Sequence, residues 1–393
     1  MTRLADRSME IVLRNRVLFG VGALQRLPEA VAAAGGARVF VVTDAGVRGS
    51  GVIDRVLAIL AAADVEASVF AGVEPNPGAS TVERGAEALR TFGLGGTVVV
   101  PVGGGSSMDT AKALDLRATN DQPLWELEYD GPDLAPGRPV VAVPTTAGTG
   151  AETNSFAVIT DEAAGRKGYI GHPSLLPVTT ILDPALTLGL PPAATAATGI
   201  DAMTHSLESL LSVNPNPFAE AMALGVIRTI GTWLRRAVAD GTDVEARSQM
   251  LMASHLAGVG QASGTGVGLV HALGHSIGTR GAVAHGTALA AVLPEVLRFY
   301  LGVRDRELAL VGIALGVASS AESESTAAAV AIGAIDKLLR DVDQRPSLRG
   351  LGLADDAAID RLVTDTLDDA AIRNSPRLPT AVEARAILEA VAG

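Results

Sequence analysis

The sequence lacks cysteine altogether, and this absence excludes disulfide bonds and thiolate metal sites. A chain without cysteine fits a reducing compartment, so we predict a cytoplasmic location. Runs of lysine and arginine are also missing, and the net charge is -12 at pH 7. No stretch of the sequence therefore matches the positive surface that a phosphate backbone requires, and we expect no nucleic-acid partner.

Long apolar runs are absent too, although 48% of the residues are hydrophobic. A membrane-spanning helix needs about 18 or more consecutive apolar residues, and no window of the chain reaches that length. Residues 1–20 carry charges throughout and have no apolar stretch typical of a signal peptide. We therefore expect no membrane partner.

The chain has 393 residues, which is long enough for two domains. Its first half alternates helical patterns with short β-branched runs, at residues 38–44, 67–72, 96–105 and 139–146. Such runs, separated by helices, predict a parallel sheet covered on both faces. After Leu188, long helical periodicity replaces the strand-like runs. We predict an α/β dinucleotide-binding domain over residues 1–188, a hinge at "GLPP", and an all-helical metal-binding domain over residues 189–393.

The segment "VGGGSSMDTAKAL" (residues 102–114) joins a predicted strand to a predicted helix through three glycines. Glycine lets the backbone approach a ligand closely, and a helix N-terminus attracts a pyrophosphate. We expect the two serines that follow the glycines to cap the helix. The pattern is neither the Rossmann fingerprint nor a P-loop, so a tight turn without a ligand is the alternative.

A second loop of small residues, "PTTAGTGAETN" (residues 144–154), follows the fourth predicted strand, and Asp44 ends the first. Loops at the carboxyl ends of parallel strands share a crevice in which ligands bind. The Asp44 carboxylate can accept hydrogen bonds from an adenosine ribose; the alternative is an ordinary turn aspartate. The residues that we expect to bind the cofactor are Asp44, Gly103, Gly104, Gly105, Ser106, Ser107, Asp109, Thr145, Thr146, Thr149 and Lys167.

Histidine is scarce, yet half of the six histidines lie in one segment, "GLVHALGHSIGTRGAVAHG". His271 and His275 are four residues apart, as are Asp201 and His205, so each pair shares one face of a helix. The glycines that follow His275 should end the helix that carries His271 and His275. The chain can then turn and bring His285 back towards Asp201 and His205. One carboxylate and several imidazoles suit a borderline divalent cation; the alternative is that these histidines are unrelated. Two histidines lack such partners in the sequence and are expected to be structural: His172 and His255.

Four segments together resemble the signature regions of the iron-dependent (group III) alcohol dehydrogenases. They are "GGGSSMDTAKA", "PTTAGTGAETN", "LPPAATAATGIDAMTHSLES" and "GVGLVHALGHSIGTRGAVAHGTALAAVLPEVLRF". The resemblance extends over nearly the whole chain. It implies a nucleotide-binding α/β domain, an all-helical domain and a deep cleft between them. It also implies that the metal ligands are Asp201, His205, His271 and His285, and that His275 lies beside the metal without binding it.

Related enzymes of the same superfamily match less well. Maleylacetate reductases generally resemble the chain but have lost the metal-binding aspartate, which is present here as Asp201. The basic phosphate-binding site of dehydroquinate synthases is not evident, and "HALGH…AH" fits the iron group better than the zinc-dependent glycerol dehydrogenases. The alternatives are maleylacetate reductase-like or hydroxyacid dehydrogenase activity, a dehydroquinate synthase-type lyase, and a non-catalytic metal- or nucleotide-binding protein.

The resemblance implies reversible hydride transfer between a primary alcohol or its aldehyde and NAD(H), with NADP(H) less favoured. Three nitrogens and one oxygen suit Fe(II), and Zn(II) usually binds such ligands more tightly. His275 either relays the alcohol proton to solvent or supports the ligands. Arg280 either holds an anionic substrate group or is a solvated loop residue. We also expect a homodimer. Approximate alignment gives the candidate substrate-pocket residues Phe156, Val158, Ala262 and Leu269.

Overall fold

The computed structural model describes residues 15–129, 133–164, 166–281 and 283–393. The chain divides into two compact units. Within the described residues, the first, which we call the α/β unit, comprises residues 15–195 and 239–255. The second, the helical unit, comprises residues 196–238 and 256–393. The domain boundary after Leu188 stays a prediction. The α/β unit extends to residue 195 and also includes residues 239–255, which belong to the second half of the chain.

A six-stranded parallel sheet forms the centre of the α/β unit. The strands along the chain are β1 (Arg16–Phe19), β2 (Arg38–Asp44), β3 (Glu66–Val73), β4 (Thr97–Gly103), β5 (Val141–Pro144), β6 (Phe156–Asp161), β7 (Arg166–Gly171) and β8 (Thr179–Leu182). The sheet has the order β1-β8-β5-β4-β2-β3, while β6 and β7 form a separate antiparallel pair. The four predicted runs are β2 to β5, so the predicted parallel sheet is confirmed.

Both faces of the sheet are apolar, because successive residues of a strand point to opposite sides. Val39 of β2 packs in one buried cluster with Leu60. The next residue, Phe40, packs in a different cluster with Leu114. The helices that cover the sheet are α1 (Leu27–Ala33), α2 (Ala45–Gly49), α3 (Val52–Ala62), α4 (Ala79–Phe92) and α5 (Gly105–Thr119). This two-sided burial explains why the strand runs are almost purely apolar.

The second half of the chain is helical, and no described residue after Leu182 lies in a strand. Its helices are α6 (Pro192–Leu211), α7 (Pro217–Ala239), α8 (Val244–Gly260), α9 (Leu269–Gly281), α10 (His285–Phe299), α11 (Asp305–Ala314), α12 (Glu324–Asp341), α13 (Asp356–Asp368) and α14 (Ala381–Ala390). The predicted fold class, an α/β region followed by an all-helical region, is confirmed. Among the described helices, none has the length and apolar character that crossing a bilayer requires.

Asp115 is a fully buried carboxylate on α5, and its stability contribution depends on pH. Its Oδ2 accepts a hydrogen bond from the Arg138 backbone N–H at 2.7 Å. Burial raises the pKa of Asp115 to about 7, although Arg138 opposes the shift. The folded protein therefore binds this proton more tightly than the unfolded chain does, so the carboxyl lowers the free energy of unfolding as pH rises from about 4 to 7.

We expect Asp115→Asn to stabilise the protein at pH 8 and to have a much smaller effect at pH 5. At pH 8 the substitution removes a buried negative charge, which costs on the order of a few kcal/mol for a pKa shift of this size. At pH 5 the native carboxyl is protonated, and only the smaller cost of taking up that proton remains. The midpoint of thermal unfolding (Tm) at the two pH values measures the effect, with exposed Asp121→Asn as the control. An equal Tm change at both pH values would contradict it.

Candidate metal centre and cofactor loops

Asp201 and His205 lie one turn apart on α6, as their spacing predicts. His205 Nε2 is 3.6 Å from Asp201 Oδ1. His271 on α9 places its Nε2 3.6 Å from the same oxygen, and its ring stacks on that of His205. The aspartate oxygen is thus the point on which the two helices converge.

His285 completes the cluster as the first residue of α10. α9 ends at Gly281, as predicted, and the chain returns so that His285 Nε2 lies 3.7 Å from Asp201 Oδ1. The ligand atoms of Asp201, His271 and His285 all lie within 4.8 Å of one another. The side chain of His285 is 35% exposed, whereas that of Asp201 is 3% exposed. A small molecule would therefore reach the cluster from the side of His285.

A glycine after His285 makes this return possible. A Cβ added to Gly286 would lie 1.9 Å from the Ala197 backbone oxygen, far closer than real atoms approach. Only glycine lets the start of α10 pack this tightly against the start of α6. The close contact at Gly286 therefore positions the preceding residue, His285, which is a candidate metal ligand.

Two buried polar atoms at the centre of the cluster lack partners in the described part of the chain. They are Asp201 Oδ1 and His271 Nε2. A buried polar atom without a partner costs about 1–3 kcal/mol, so it calls for a further ligand. Burial opposes ionisation of Asp201, but the surrounding imidazoles hold the pKa of its carboxyl well below the usual range. An ionised oxygen amid imidazole nitrogens matches the donor set of a borderline divalent cation, so the residues fit a metal ion.

Glu208 is a residue of this site that the sequence reasoning missed. It is buried on α6, and its Oε2 lies 2.5 Å from His271 Nδ1 while its Oε1 accepts the Val270 N–H at 2.7 Å. Burial alone would lower the pKa of His271, but the charges of Glu208 and Asp201 raise it to about 9. A carboxylate on the far nitrogen fixes the ring of a metal-binding histidine. Glu208 could have been found from the sequence, because it lies three residues after His205 and so about one helical turn away.

His275 lies beside the cluster on α9. Its ring centroid is 5.4 Å from that of His285 and 5.9 Å from that of His271. Its Nδ1 is 2.8 Å from Asp369 Oδ2, and its side chain is 10% exposed. His275 therefore lies beside the candidate metal ligands. A hydrogen bond to Asp369, which is distant in the sequence, holds it there.

The structure shows the hydrogen-bond partners of three further residues that the sequence analysis discussed, Arg280, His255 and His172. Arg280 lies in α9 rather than in a loop, and its Nε and Nη2 donate to Asp365 at 2.5 and 2.9 Å. This pairing opposes the idea that Arg280 holds an anionic substrate. His255 has a partner that is distant in the sequence: its Nδ1 lies 3.0 Å from Glu152 Oε1 in a buried pair, which agrees with the structural role expected of it. His172 caps a short 3₁₀ helix, which agrees with a structural role.

The glycine loop lies between β4 and α5, and the expectation that serines cap this helix is wrong. Gly104 is the N-cap residue of α5, and no side-chain hydrogen bond caps the helix. A Cβ on Gly103 would lie 2.3 Å from Ser107 Oγ, so the serine folds back against the loop instead. The backbone N–H groups at the start of α5 are therefore not capped by a serine side chain.

The two predicted cofactor loops touch each other. Thr145 N–H donates to Gly103 O at 2.9 Å. Cβ atoms added to Gly104 and Gly105 would lie 3.1 Å from Thr146 Cγ2 and 2.7 Å from Thr149 Cγ2. The three glycines thus let the second loop approach the first. Ser106 lies beside them in the first turn of α5, partly exposed.

Asp44 lies next to this pair of loops. Its Oδ1 accepts the Val47 N–H at 2.9 Å and so begins α2, while Ser107 Oγ is 3.4 Å from its Oδ2. Asp44 therefore has an ordinary structural role as the cap of α2, and it also lies beside the glycine loop.

Asp109 and Lys167 lie farther along the same region. Asp109 accepts a hydrogen bond from the Val158 backbone, and burial raises its pKa to about 6. Lys167 Nζ donates to Thr160 Oγ1 at 2.9 Å and to Asn76 Oδ1 at 3.2 Å. Burial lowers the pKa of Lys167, although Asp109 opposes the shift. These contacts place both residues among polar partners of the α/β unit.

The candidate pocket residues lie in two units. Phe156 and Val158 are partly buried on β6, in the α/β unit. In the helical unit, Ala262 is exposed in a π-helical turn, whereas Leu269 begins α9 and has 0% of its surface accessible. Their role as pocket residues stays a prediction.

Comparison with known proteins agrees with this arrangement. Residues 14–184 match the family model described as iron-containing alcohol dehydrogenase, and residues 195–392 match the C-terminal model of the same family. A choline dehydrogenase from Bacillus subtilis is 36% identical over 92% of this chain and 89% of its own. An NAD-dependent methanol dehydrogenase from Bacillus methanolicus is 31% identical over 95% of this chain and 97% of its own. A solved 1,3-propanediol oxidoreductase has 34% identity and a TM-score of 0.93, covering 98% of this chain and 100% of that one.

The fold and the site define a metal- and nicotinamide-dependent oxidoreductase. The chain belongs to the iron-containing alcohol dehydrogenase family. It is an NAD(H)-linked enzyme that interconverts alcohols and aldehydes. No observation favours maleylacetate reductase, hydroxyacid dehydrogenase or lyase activity.

Proposed function

We propose that Asp201, His205, His271 and His285 hold an Fe(II) ion at which a small primary alcohol is oxidised or its aldehyde reduced. The observation that carries this proposal is the unpartnered, buried Asp201 Oδ1 facing three imidazoles. A divalent ion bound there supplies a Lewis acid that polarises the substrate oxygen. Zn(II) is the alternative ion, because it favours the same donors.

The chain's own residues have distinct tasks in this proposal. Glu208 keeps the proton on His271 Nδ1, which leaves Nε2 free to bind the ion. His275 accepts the alcohol proton and passes it to solvent. The rest of the protein aligns the substrate carbon with the nicotinamide, which receives the hydride.

The glycine loop and its neighbours bind NAD(H) in this proposal. The backbone at Gly103, Gly104 and Gly105 and the positive end of the α5 dipole receive the pyrophosphate. The close approach of the two loops supports a shared binding surface. The remaining members of the proposed set are Ser106, Ser107, Asp109, Thr145, Thr146, Thr149 and Lys167.

Asp44 is proposed to discriminate against NADP(H). A 2′-phosphate beside this carboxylate would meet a repulsion of a few kcal/mol at an effective dielectric of about 20. That corresponds to roughly tenfold to thousandfold discrimination. We expect Asp44→Gly to raise kcat/KM for NADPH relative to NADH.

Because Asp44 also begins α2, the matched variant is Asp44→Ser, which keeps a capping oxygen and removes the charge. Both variants should shift the cofactor ratio, and the serine variant should keep the wild-type Tm. Equal use of both cofactors by the wild type, or an unchanged ratio in Asp44→Ser, would show that another residue discriminates.

The substrate class is tested with a panel of aldehydes of increasing length. The relatives named above act on choline and methanol, and Ala262 offers a small side chain where bulk would restrict the pocket. NADH oxidation by iron-reconstituted enzyme should therefore proceed with aldehydes longer than two carbons. Ala262→Phe should lower kcat/KM for the longer aldehydes and spare acetaldehyde. Turnover confined to 2-hydroxy acids would favour a hydroxyacid dehydrogenase instead, and no net consumption of NADH would favour a lyase.

We also propose a homodimer in the cytoplasm. The absence of cysteine supports the location. Analytical ultracentrifugation tests the assembly, for which twice the chain mass of 39.9 kDa is expected.

A further inference from the structure

A carboxylate far away in the sequence holds His275. Asp369 follows α13 and begins a short 3₁₀ helix (Ala370–Asn374), and its Oδ1 accepts the Ala371 N–H at 2.8 Å. Its other oxygen, Oδ2, lies 2.8 Å from His275 Nδ1. The two oxygens of Asp369 therefore face two different partners, the backbone on one side and the imidazole on the other.

Two neighbouring contacts fix this geometry. Ser276 Oγ lies 3.2 Å from Thr366 Oγ1, in a buried pair between α9 and α13. One turn further along α9, Arg280 makes its two hydrogen bonds to Asp365. Three side chains of α9, at residues 275, 276 and 280, thus contact one segment of the chain, residues 365–369. Asp369 is held against His275 by more than their own hydrogen bond.

This contact determines which nitrogen of His275 carries the proton. An ionised carboxylate only accepts hydrogen bonds, so the nitrogen that faces Oδ2 must be the donor. In a neutral imidazole the other nitrogen, Nε2, then keeps its lone pair. The Ala371 N–H meanwhile occupies Oδ1, so the carboxylate is held with Oδ2 towards the histidine.

We propose that Asp369 is a positioning residue, which fixes His275 in the Nδ1-protonated form and so aims Nε2 at the reacting alcohol. The proposal rests on the proposed function, in which His275 accepts the alcohol proton. In that step the O–H bond breaks and its proton goes to Nε2. The C–H bonding pair leaves with its hydrogen as hydride to the nicotinamide. Nδ1 keeps its proton throughout, because it donates that proton to Asp369 Oδ2 at 2.8 Å.

The test compares Asp369→Asn with Asp369→Ser in the full-length, iron-loaded enzyme. Asparagine is nearly isosteric, but if its oxygen keeps the Ala371 N–H, its NH₂ faces His275 and forces the proton onto Nε2. Serine keeps the helix-capping oxygen and is too short to impose either form. A residue that merely shapes the structure would tolerate asparagine better. A positioning residue tolerates serine better.

We expect Asp369→Asn to lower kcat about 10- to 100-fold, by analogy with the range found for hydrogen-bond partners of metal-binding histidines. KM for NADH, the iron content and Tm should stay at their wild-type values, and Asp369→Ser should lose less kcat. The matched control is Asp368→Asn, which makes the same charge change at the adjacent, exposed residue. It should leave kcat unchanged.

A double-mutant cycle with His275→Ala separates this inference from the proposed function. If Asp369 acts through His275, then Asp369→Asn causes no further loss of kcat in the His275→Ala background. Full kcat in His275→Ala would overturn the proton role of His275 itself. Reduced kcat in His275→Ala with wild-type kcat in Asp369→Asn would overturn the role of Asp369 alone. Equal losses from Asp369→Asn in both backgrounds, or loss of iron, would also overturn it.

Discussion

Asp201→Ala is expected to abolish metal binding and turnover while the protein stays folded. Asp201 Oδ1 is the common neighbour of three imidazole nitrogens, so its removal takes away the only anionic ligand in the cluster as described. Loss of the Lewis acid removes several kcal/mol of transition-state stabilisation, which is about a thousandfold or more in kcat. Metal content by mass spectrometry and kcat for NADH oxidation measure the two effects together.

The fold should survive because the substitution removes a buried charge rather than a packed apolar side chain. His285→Ala is a second variant, at the most exposed ligand, and should lose metal with even less effect on Tm. Asp368→Ala, an exposed carboxylate outside the cluster, is the control for charge. Normal kcat and normal iron content in Asp201→Ala would contradict the assigned ligand set.

Lys112→Met is expected to destabilise the α/β unit more than any other lysine substitution. Lys112 on α5 is fully buried, and its Nζ donates to Ala151 O at 2.5 Å and to Asn154 Oδ1 at 2.7 Å. It also donates to the backbone oxygens of Asn154 and Phe156, at 2.9 and 3.0 Å. The ammonium thus holds the segment between the second cofactor loop and β6. Methionine fills the space but takes the charged donor away from these buried oxygens, of which Asn154 Oδ1 keeps the Phe156 N–H at 3.2 Å.

The expected loss is about 3–5 kcal/mol of unfolding free energy, since several buried acceptors lose one charged donor. For a protein of 393 residues that corresponds to a fall in Tm of roughly 4–6 °C. KM for NADH should also rise, because the loop with Thr145, Thr146 and Thr149 is no longer anchored. Lys337→Met, at a lysine with 67% of its side chain exposed, is the matched control. Similar Tm values for both variants would contradict the anchoring role.

The sequence predicted those features that depend on local pattern. β2 to β5 were predictable because each is an apolar run bounded by turn residues. The pairs Asp201–His205 and His271–His275 were predictable because residues one helical turn apart share a face. The end of α9 at Gly281 and the return of His285 followed from the glycines between them.

Features that depend on distant partners were not predictable. β1 and β8 were not predicted, although β5 is equally short, and they pair with each other although they lie at opposite ends of residues 16–182. Glu152 meets His255 although the two are 103 residues apart. Asp369 meets His275 from 94 residues away. Such contacts are set by packing, and a single sequence carries no mark of them.

The serine caps failed for a different reason. The residue before α5 must let two loops approach each other, and that close contact selects glycine over a capping side chain at Gly104. Ser107 turns back to Gly103 and Asp44 instead. Capping preference is a local tendency, and the close contact between the two loops overrides it.

The most direct test of the central claim is the metal dependence of NADH oxidation. The enzyme is stripped with a chelator under anaerobic conditions, its metal content is measured, and an aldehyde is then reduced before and after Fe(II) is added back. The account predicts negligible turnover in the stripped enzyme and recovery as iron approaches one ion per chain, with no recovery in Asp201→Ala. Full activity in a sample that contains no metal would contradict it.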